Sequence, residues 1–274
     1  DYRDFRPSIQ FSSVLFKNYR LYEDNDCDGI LNWLNIDLKN IPYKNKNKQS
    51  KIFKDGGYVS IIGESCKGLF HYPAFEFRPN QADFLHLDIM DSGETIIGDG
   101  GSYSYNKGSR WLNYFSGIES HNTIQFDHSE PMPRLGRFLF GEWPETKYWE
   151  FKYDKKSTTV SAKYTDYLGR SHMREISVEN RVWTINDKIS GFSDCATLRW
   201  RLHKSDWAIN DNQVVSNKAK INIQVDKDKI QEINLTEGFE SVYYNEILGV
   251  DVLEVKINKS CTIETIITLP NIVN

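Results

Sequence analysis

Asp99, Tyr103, Tyr105 and Asn106 share one glycine-dense loop, and a histidine, His121, opens the strand-like run that comes after it. A tyrosine serves as a general acid or base when nearby positive charge lowers its pKa from about 10. Histidine titrates near neutrality, although a lone histidine is more often a hydrogen-bonded structural residue. Gly98, Gly100 and Gly101 allow backbone angles or close approaches that a side chain would forbid. Loops of this kind, carried on a rigid sheet, are where binding chemistry tends to sit. The plainer alternative is a hairpin with glycine punctuation and no chemistry.

The residues before that loop read as its support. Leu85, Leu87 and Ile89 alternate with His86 and Asp88, as in a half-buried strand with a polar face, and the chain turns at 91–94 and returns through 95–97. Similar runs recur at 57–62, 122–126, 147–153, 158–164, 174–179, 181–189, 197–202, 221–225, 252–257 and 262–268. No βαβ rhythm accompanies them, so the expectation is a layered antiparallel all-β domain over 55–274, either a sandwich or a closed barrel. Residues 1–40 differ. Pro7 opens a helix over 8–22 with Phe11, Val14, Leu15 and Leu21 near one face, and Asp28 caps a second over 29–34. Two such helices cannot bury their own apolar stripes, so Phe11, Leu15, Trp33 and Leu34 are expected on a surface that a neighbouring domain covers, the alternative being complete burial within this chain or in a homodimer. Residues 41–54 are polar and basic, the composition of a linker.

Composition narrows the partners. A net charge of −4 over 274 residues gives no global basic field for nucleic acid or an anionic membrane. No run of 18 apolar residues occurs. Cys27, Cys66, Cys195 and Cys261 are widely spaced without a Cys-x-x-Cys pair and read as free, mostly buried thiols. The sequence does not reveal the compartment.

Four motifs in order carry a resemblance: Arg78, Pro79, Asn80, Gln81, Ala82 and Asp83, with Leu85 through Asp88; Gly98 through Asn106; Tyr114 through Gly117; and His121, Asn122 and Thr123. Together they resemble the C-terminal β-domain of the heparinase II/III-like polysaccharide lyases. The resemblance implies a large two-layer antiparallel β-sandwich, preceded over 1–40 by the last helices of an α/α toroid that is not in this chain. It implies an acidic, uronate-containing polysaccharide as substrate, β-elimination as the reaction, and a bacterial periplasm or cytoplasm as the setting.

Site assignments follow from the same resemblance. Asp99 and His121 match metal ligands of the family, and imidazole with carboxylate suits zinc or manganese. The third ligand histidine falls on Gln81, which offers only a carbonyl oxygen, and a catalytic histidine falls on Pro79. A hydrogen-bonded cluster without metal is the alternative. Tyr105 and His121 are the catalytic candidates, with Tyr105 auxiliary to toroid residues. Arg78, Arg134 and Asn106 are substrate-binding candidates, joined by Trp111 in the loop after Tyr105. Arg137 could also clamp a carboxylate or sulfate. A non-catalytic glycan-binding member is the rival reading, because the His-x-His pair is lost.

Overall fold

The computed structural model describes residues 4–44, 48–154 and 157–271. Residues 1–3 of the expected helical opening and 45–47 of the expected linker lie outside them. The chain divides into two compact units, residues 1–49 and residues 50–274.

In the first unit, helix α1 spans Arg6–Lys17 and helix α2 spans Gly29–Trp33. Pro7 sits in the first turn of α1, where its missing N–H costs nothing, and Asn18 ends the helix in the left-handed region, earlier than the expected residue 22. Buried Gln10 accepts from the N–H groups of Leu21 and Tyr22 and donates to Asp28 Oδ1 at 2.8 Å, tying the returning chain to α1. Leu15, Leu34 and Trp33 are exposed, Trp33 at 84%, while Phe11 is half-buried.

The second unit begins with β1 (Lys51–Phe53), inside the stretch expected as linker. In chain order follow β2 (Tyr58–Ile62), β3 (Cys66–His71), β4 (Leu87–Asp91), β5 (Glu94–Ile97), helix α3 (Ser109–Ser116), β6 (Ile124–Phe126), β7 (Arg134–Gly136) and β8 (Leu139–Phe140). Next come β9 (Thr146–Tyr153), β10 (Ser157–Thr165), β11 (Ser171–Glu179), β12 (Val182–Ser190), β13 (Ala196–Leu202), β14 (Ala208–Asn210), β15 (Gln213–Val215), β16 (Lys220–Gln224), β17 (Ile230–Glu240), β18 (Leu248–Ile257) and β19 (Cys261–Thr268). One antiparallel sheet runs β1-β2-β3-β4-β5-β13-β18-β17, with β6 also on β13; the other runs β14-β15-β16-β19-β12-β11-β10-β9. β7 and β8 form a separate hairpin.

Alternation decides which faces meet. Every second residue of β11 and β12 is buried; the apolar ones join the inward faces of β3, β4, β13 and β18 in one core, and His172, Arg174 and Asp187 form a buried polar group beside it. Trp183 from one sheet and Trp200 from the other are fully buried, and Trp200 Nε1 donates to Thr265 Oγ1 of the opposite sheet at 3.2 Å. Gly68 is required for this packing, because a Cβ there would come within 2.7 Å of the Trp183 ring. The arrangement is the two-layer antiparallel sandwich, not a closed barrel.

Two local readings need correction. The strand before the hairpin starts at Leu87, because Leu85 has φ 55, a left-handed conformation that a bulky side chain rarely adopts. Trp111 lies in helix α3, not in a loop: Trp111, Tyr114 and Phe115 recur at helical spacing after Gly108, whose φ of 96 hides the start.

Candidate functional site

β5 and β6 both run antiparallel to β13 and lie end to end along it, so Asp99, just beyond β5, and His121, just before β6, meet in the gap between the two strands. His121 Nδ1 donates to Asp99 Oδ2 at 2.6 Å, and Gly101 N–H donates to Asp99 Oδ1 at 2.6 Å. The residue that joins them is His86, whose Nε2 lies 3.8 Å from Asp99 Oδ2 and 2.9 Å from Asp88 Oδ1. Its ring meets the His121 ring edge-on at 5.5 Å. Alternation alone makes His86 a polar face of a strand; the backbone break at Leu85 is what turns it inward.

Asn122 holds the cluster. Its N–H donates to His86 Nδ1 at 2.9 Å, its amide group donates to Leu87 O and Gly98 O, and its Oδ1 accepts from the Arg201 N–H at 2.7 Å. Beneath it, buried Arg174 donates through Nη1 to both Leu85 O and Asn122 O at 2.6 Å, while its other nitrogens pair with Asp187 at 2.7 and 3.0 Å. One guanidinium from the second sheet thus fixes both histidine-bearing segments. A further pair adjoins: His71 Nδ1 lies 2.9 Å from Asp83 Oδ2, with Tyr58 stacked on the His71 ring at 4.4 Å.

Burial works against the Asp99 and Asp83 carboxylates, but neighbouring imidazoles more than offset it. His121, with the Gly101 amide, holds Asp99 well below the usual carboxylate range; His71 and then His121 do the same for Asp83. Carboxylates around His86 favour a charged ring against the cost of burial. A second proton, however, would have to sit on Nδ1, where the Asn122 N–H already points. The ring is therefore neutral, with its one proton on Nε2 directed at Asp88.

That assignment bears on metal binding. His86, Asp99 and His121 each place a ligand atom within 4.8 Å of the others, a spacing that a divalent ion could bridge. A ligating histidine normally donates its other N–H to a second-shell acceptor. His86 does the reverse, accepting at Nδ1, so binding through Nε2 would require removal of its only proton. Gln81 lines a small cavity with Asn80, Ser102, Tyr105, Phe115, Ser116 and Phe138. His86 does not fit a resident zinc or manganese, and Asp99 with His121 alone falls short of the three or four protein ligands zinc takes.

Substrate-facing candidates gather around α3. Tyr105 is half-exposed, against Phe138 at 5.7 Å and Tyr244 at 6.3 Å. Arg137 Nη2 donates to Asn106 Oδ1 at 3.1 Å, Arg134 Nη2 to Ser116 Oγ at 2.6 Å, and Arg78 reaches Phe138 O at 3.5 Å. Asn106, Arg134 and Arg137 line an open groove of about 540 Å³, and Arg137 also borders the Tyr105 cavity. Trp111 lies on a different cavity of about 440 Å³, with Arg110 over its ring at 4.7 Å and Glu119 and Glu130 on the wall. His121 has no exposed surface and cannot touch a glycan in this conformation.

The two-sheet sandwich with its buried His/Asp cluster is placed by comparison with known proteins. The chain belongs to the family described as Heparinase II/III-like, C-terminal, which matches residues 45–262. Among solved structures it is similar to a heparinase III (17% identity, TM-score 0.72, covering 94% of this chain and 40% of that one). It is also similar to the heparan sulfate lyase HepC of Pedobacter heparinus (17% identity, TM-score 0.72, covering 98% and 42%). The chain thus spans about two fifths of the length of these structures. No curated protein matches it.

Proposed function

We propose that this chain is the β-domain of a lyase that cleaves uronate-containing acidic polysaccharides by β-elimination, acting with an N-terminal helical domain. The observation that carries the reading is the groove beside α3, where Arg134, Arg137 and Asn106 lie next to the cavity of Tyr105. Elimination needs the uronate carboxylate neutralised, the C5 proton removed and the leaving oxygen protonated. Arg137 supplies the first requirement from a fork that matches a carboxylate. Tyr105, half-exposed on the cavity that shares Arg137 with the groove, exchanges a proton with the sugar. Asp99, His121 and His86 act behind it as a proton-bonded scaffold for the glycine loop that carries Tyr105, without a resident metal. The remaining acid or base comes from the helical domain.

A non-catalytic binding role has one specific support: Pro79 and Gln81 stand where the family pattern has histidines. Both readings require the groove to bind an acidic glycan. Titration of the chain with a uronate oligosaccharide should show binding that weakens at least about tenfold in Arg137→Gln, the order expected for losing a charge-assisted pair. The exposed control Lys220→Gln should leave it unchanged. Equal affinity in both variants would remove the groove from the account.

A further inference from the structure

Asp127 and His128, just after β6, are consecutive non-glycine residues in the left-handed region, with φ 50 and 53. Such a pair is strained and persists only where its surroundings enforce it. Asp127 is the enforcer. Its N–H donates to Cys195 O at 2.7 Å, and its carboxylate accepts the N–H groups of Ser193, Asp194 and Cys195 at 2.7 to 3.2 Å. The loop entering β13 is thereby pinned to the end of β6. As a consequence His128 Nε2 stands 3.2 Å from Cys195 Sγ and 3.9 Å from Asp194 Oδ2, with all three ligand atoms within 4.8 Å of one another.

We propose that His128, Asp194 and Cys195 form a surface site for a zinc-type divalent cation, with the fourth position open to water. Tetrahedral zinc with arms of about 2.0–2.3 Å separates its ligand atoms by roughly 3.3–3.6 Å, so His128 Nε2 and Cys195 Sγ already stand near that spacing and the exposed Asp194 carboxylate closes in on the order of 1 Å to complete it. A sulfur, nitrogen and oxygen donor set selects zinc over magnesium or calcium. The thiolate and carboxylate together cancel the ion's charge. His128 is free in the respect that His86 is not: its side chain is 61% exposed, so Nδ1 carries the proton toward water while Nε2 turns its lone pair to the metal. Burial, then the Asp194 and Asp127 carboxylates, push the Cys195 thiol up, so without an ion the sulfur keeps its proton and shares it with His128. Binding replaces that proton: the S–H bond breaks, a metal–sulfur bond forms, and one proton is released to solvent with no change of oxidation state.

The test is cobalt(II) titration of the metal-stripped chain, followed by zinc displacement. Uptake of one cobalt per chain is expected, with a thiolate-to-cobalt charge-transfer band and tetrahedral visible bands that zinc abolishes. Cys195→Ser should remove the charge-transfer band, and His128→Asn, which tolerates the left-handed backbone, should weaken binding at least about tenfold. Far-ultraviolet circular dichroism confirms that both variants fold. Absence of stoichiometric uptake, a thiolate band that persists in Cys195→Ser, or undiminished affinity in His128→Asn would overturn the site.

Discussion

The Asn122 N–H donates to His86 Nδ1 at 2.9 Å, so His86 has one place left for its proton, on Nε2 facing Asp88. His86→Leu would leave a buried N–H unpaired, at a cost of about 1–3 kcal/mol. His86→Gln, whose carbonyl accepts and whose amide donates, should recover a large part of that loss. Denaturant unfolding of the two variants checks this, and equal destabilisation would contradict the assigned proton position.

Arg174 joins the two sheets beneath the site, contacting Leu85 O, Asn122 O and Asp187, all buried. Arg174→Met strands the Asp187 charge, and removal of one partner of a buried pair typically costs about 3–5 kcal/mol. The His121 and His86 ring signals in an NMR spectrum should shift as well, since their segments lose a common anchor. Loss of stability with both ring environments unchanged would separate the pair from the site.

Acid should lower the stability of this domain over two pH ranges. Burial first, then Arg174, hold the His172 ring below its ordinary range, so its neutral form contributes stability that begins to fall once the pH drops below about 6.5. Asp187 is held down to about 2 by Arg174 and His172 against the cost of burial. Its contribution is present above the unfolded carboxyl range near 4 and is lost as pH falls toward 2, on the order of 2 kcal/mol. Asp83 and Asp99 act in the same direction. Unfolding free energies measured from pH 7 to 3 should decline throughout, and a maximum at acidic pH would contradict the assignment.

The layered antiparallel sheets were legible because long strands such as β11 and β12 keep a period of two, with Trp183 on the buried phase of β12, while the choice of a sandwich over a barrel came from the resemblance. Asp99 and His121 were linked in the sequence by the family resemblance, and they meet because β5 and β6 lie end to end along β13. His86 escaped detection because period-two reasoning assumes an unbroken strand, and Leu85 breaks it with a positive φ. Arg174 was invisible for another reason. Its partners Leu85 and Asn122 are backbone carbonyls far away in sequence, and no spacing rule reaches across sheets. The strand β17, at the edge of its sheet, lacks a clean alternation and went unread.

The groove account is tested most directly by the ultraviolet absorbance of the unsaturated uronate that β-elimination releases. A longer protein carrying this chain together with a helical domain would be incubated with heparan sulfate, alginate, hyaluronan and chondroitin, alongside the 274-residue chain itself. The account predicts turnover of at least one glycan by the longer protein, none by the chain alone, and a fall of at least about a hundredfold in Tyr105→Phe, the usual scale of a lost general acid or base. Turnover by the chain alone, full activity of Tyr105→Phe, or silence from the longer protein on all four glycans would contradict it.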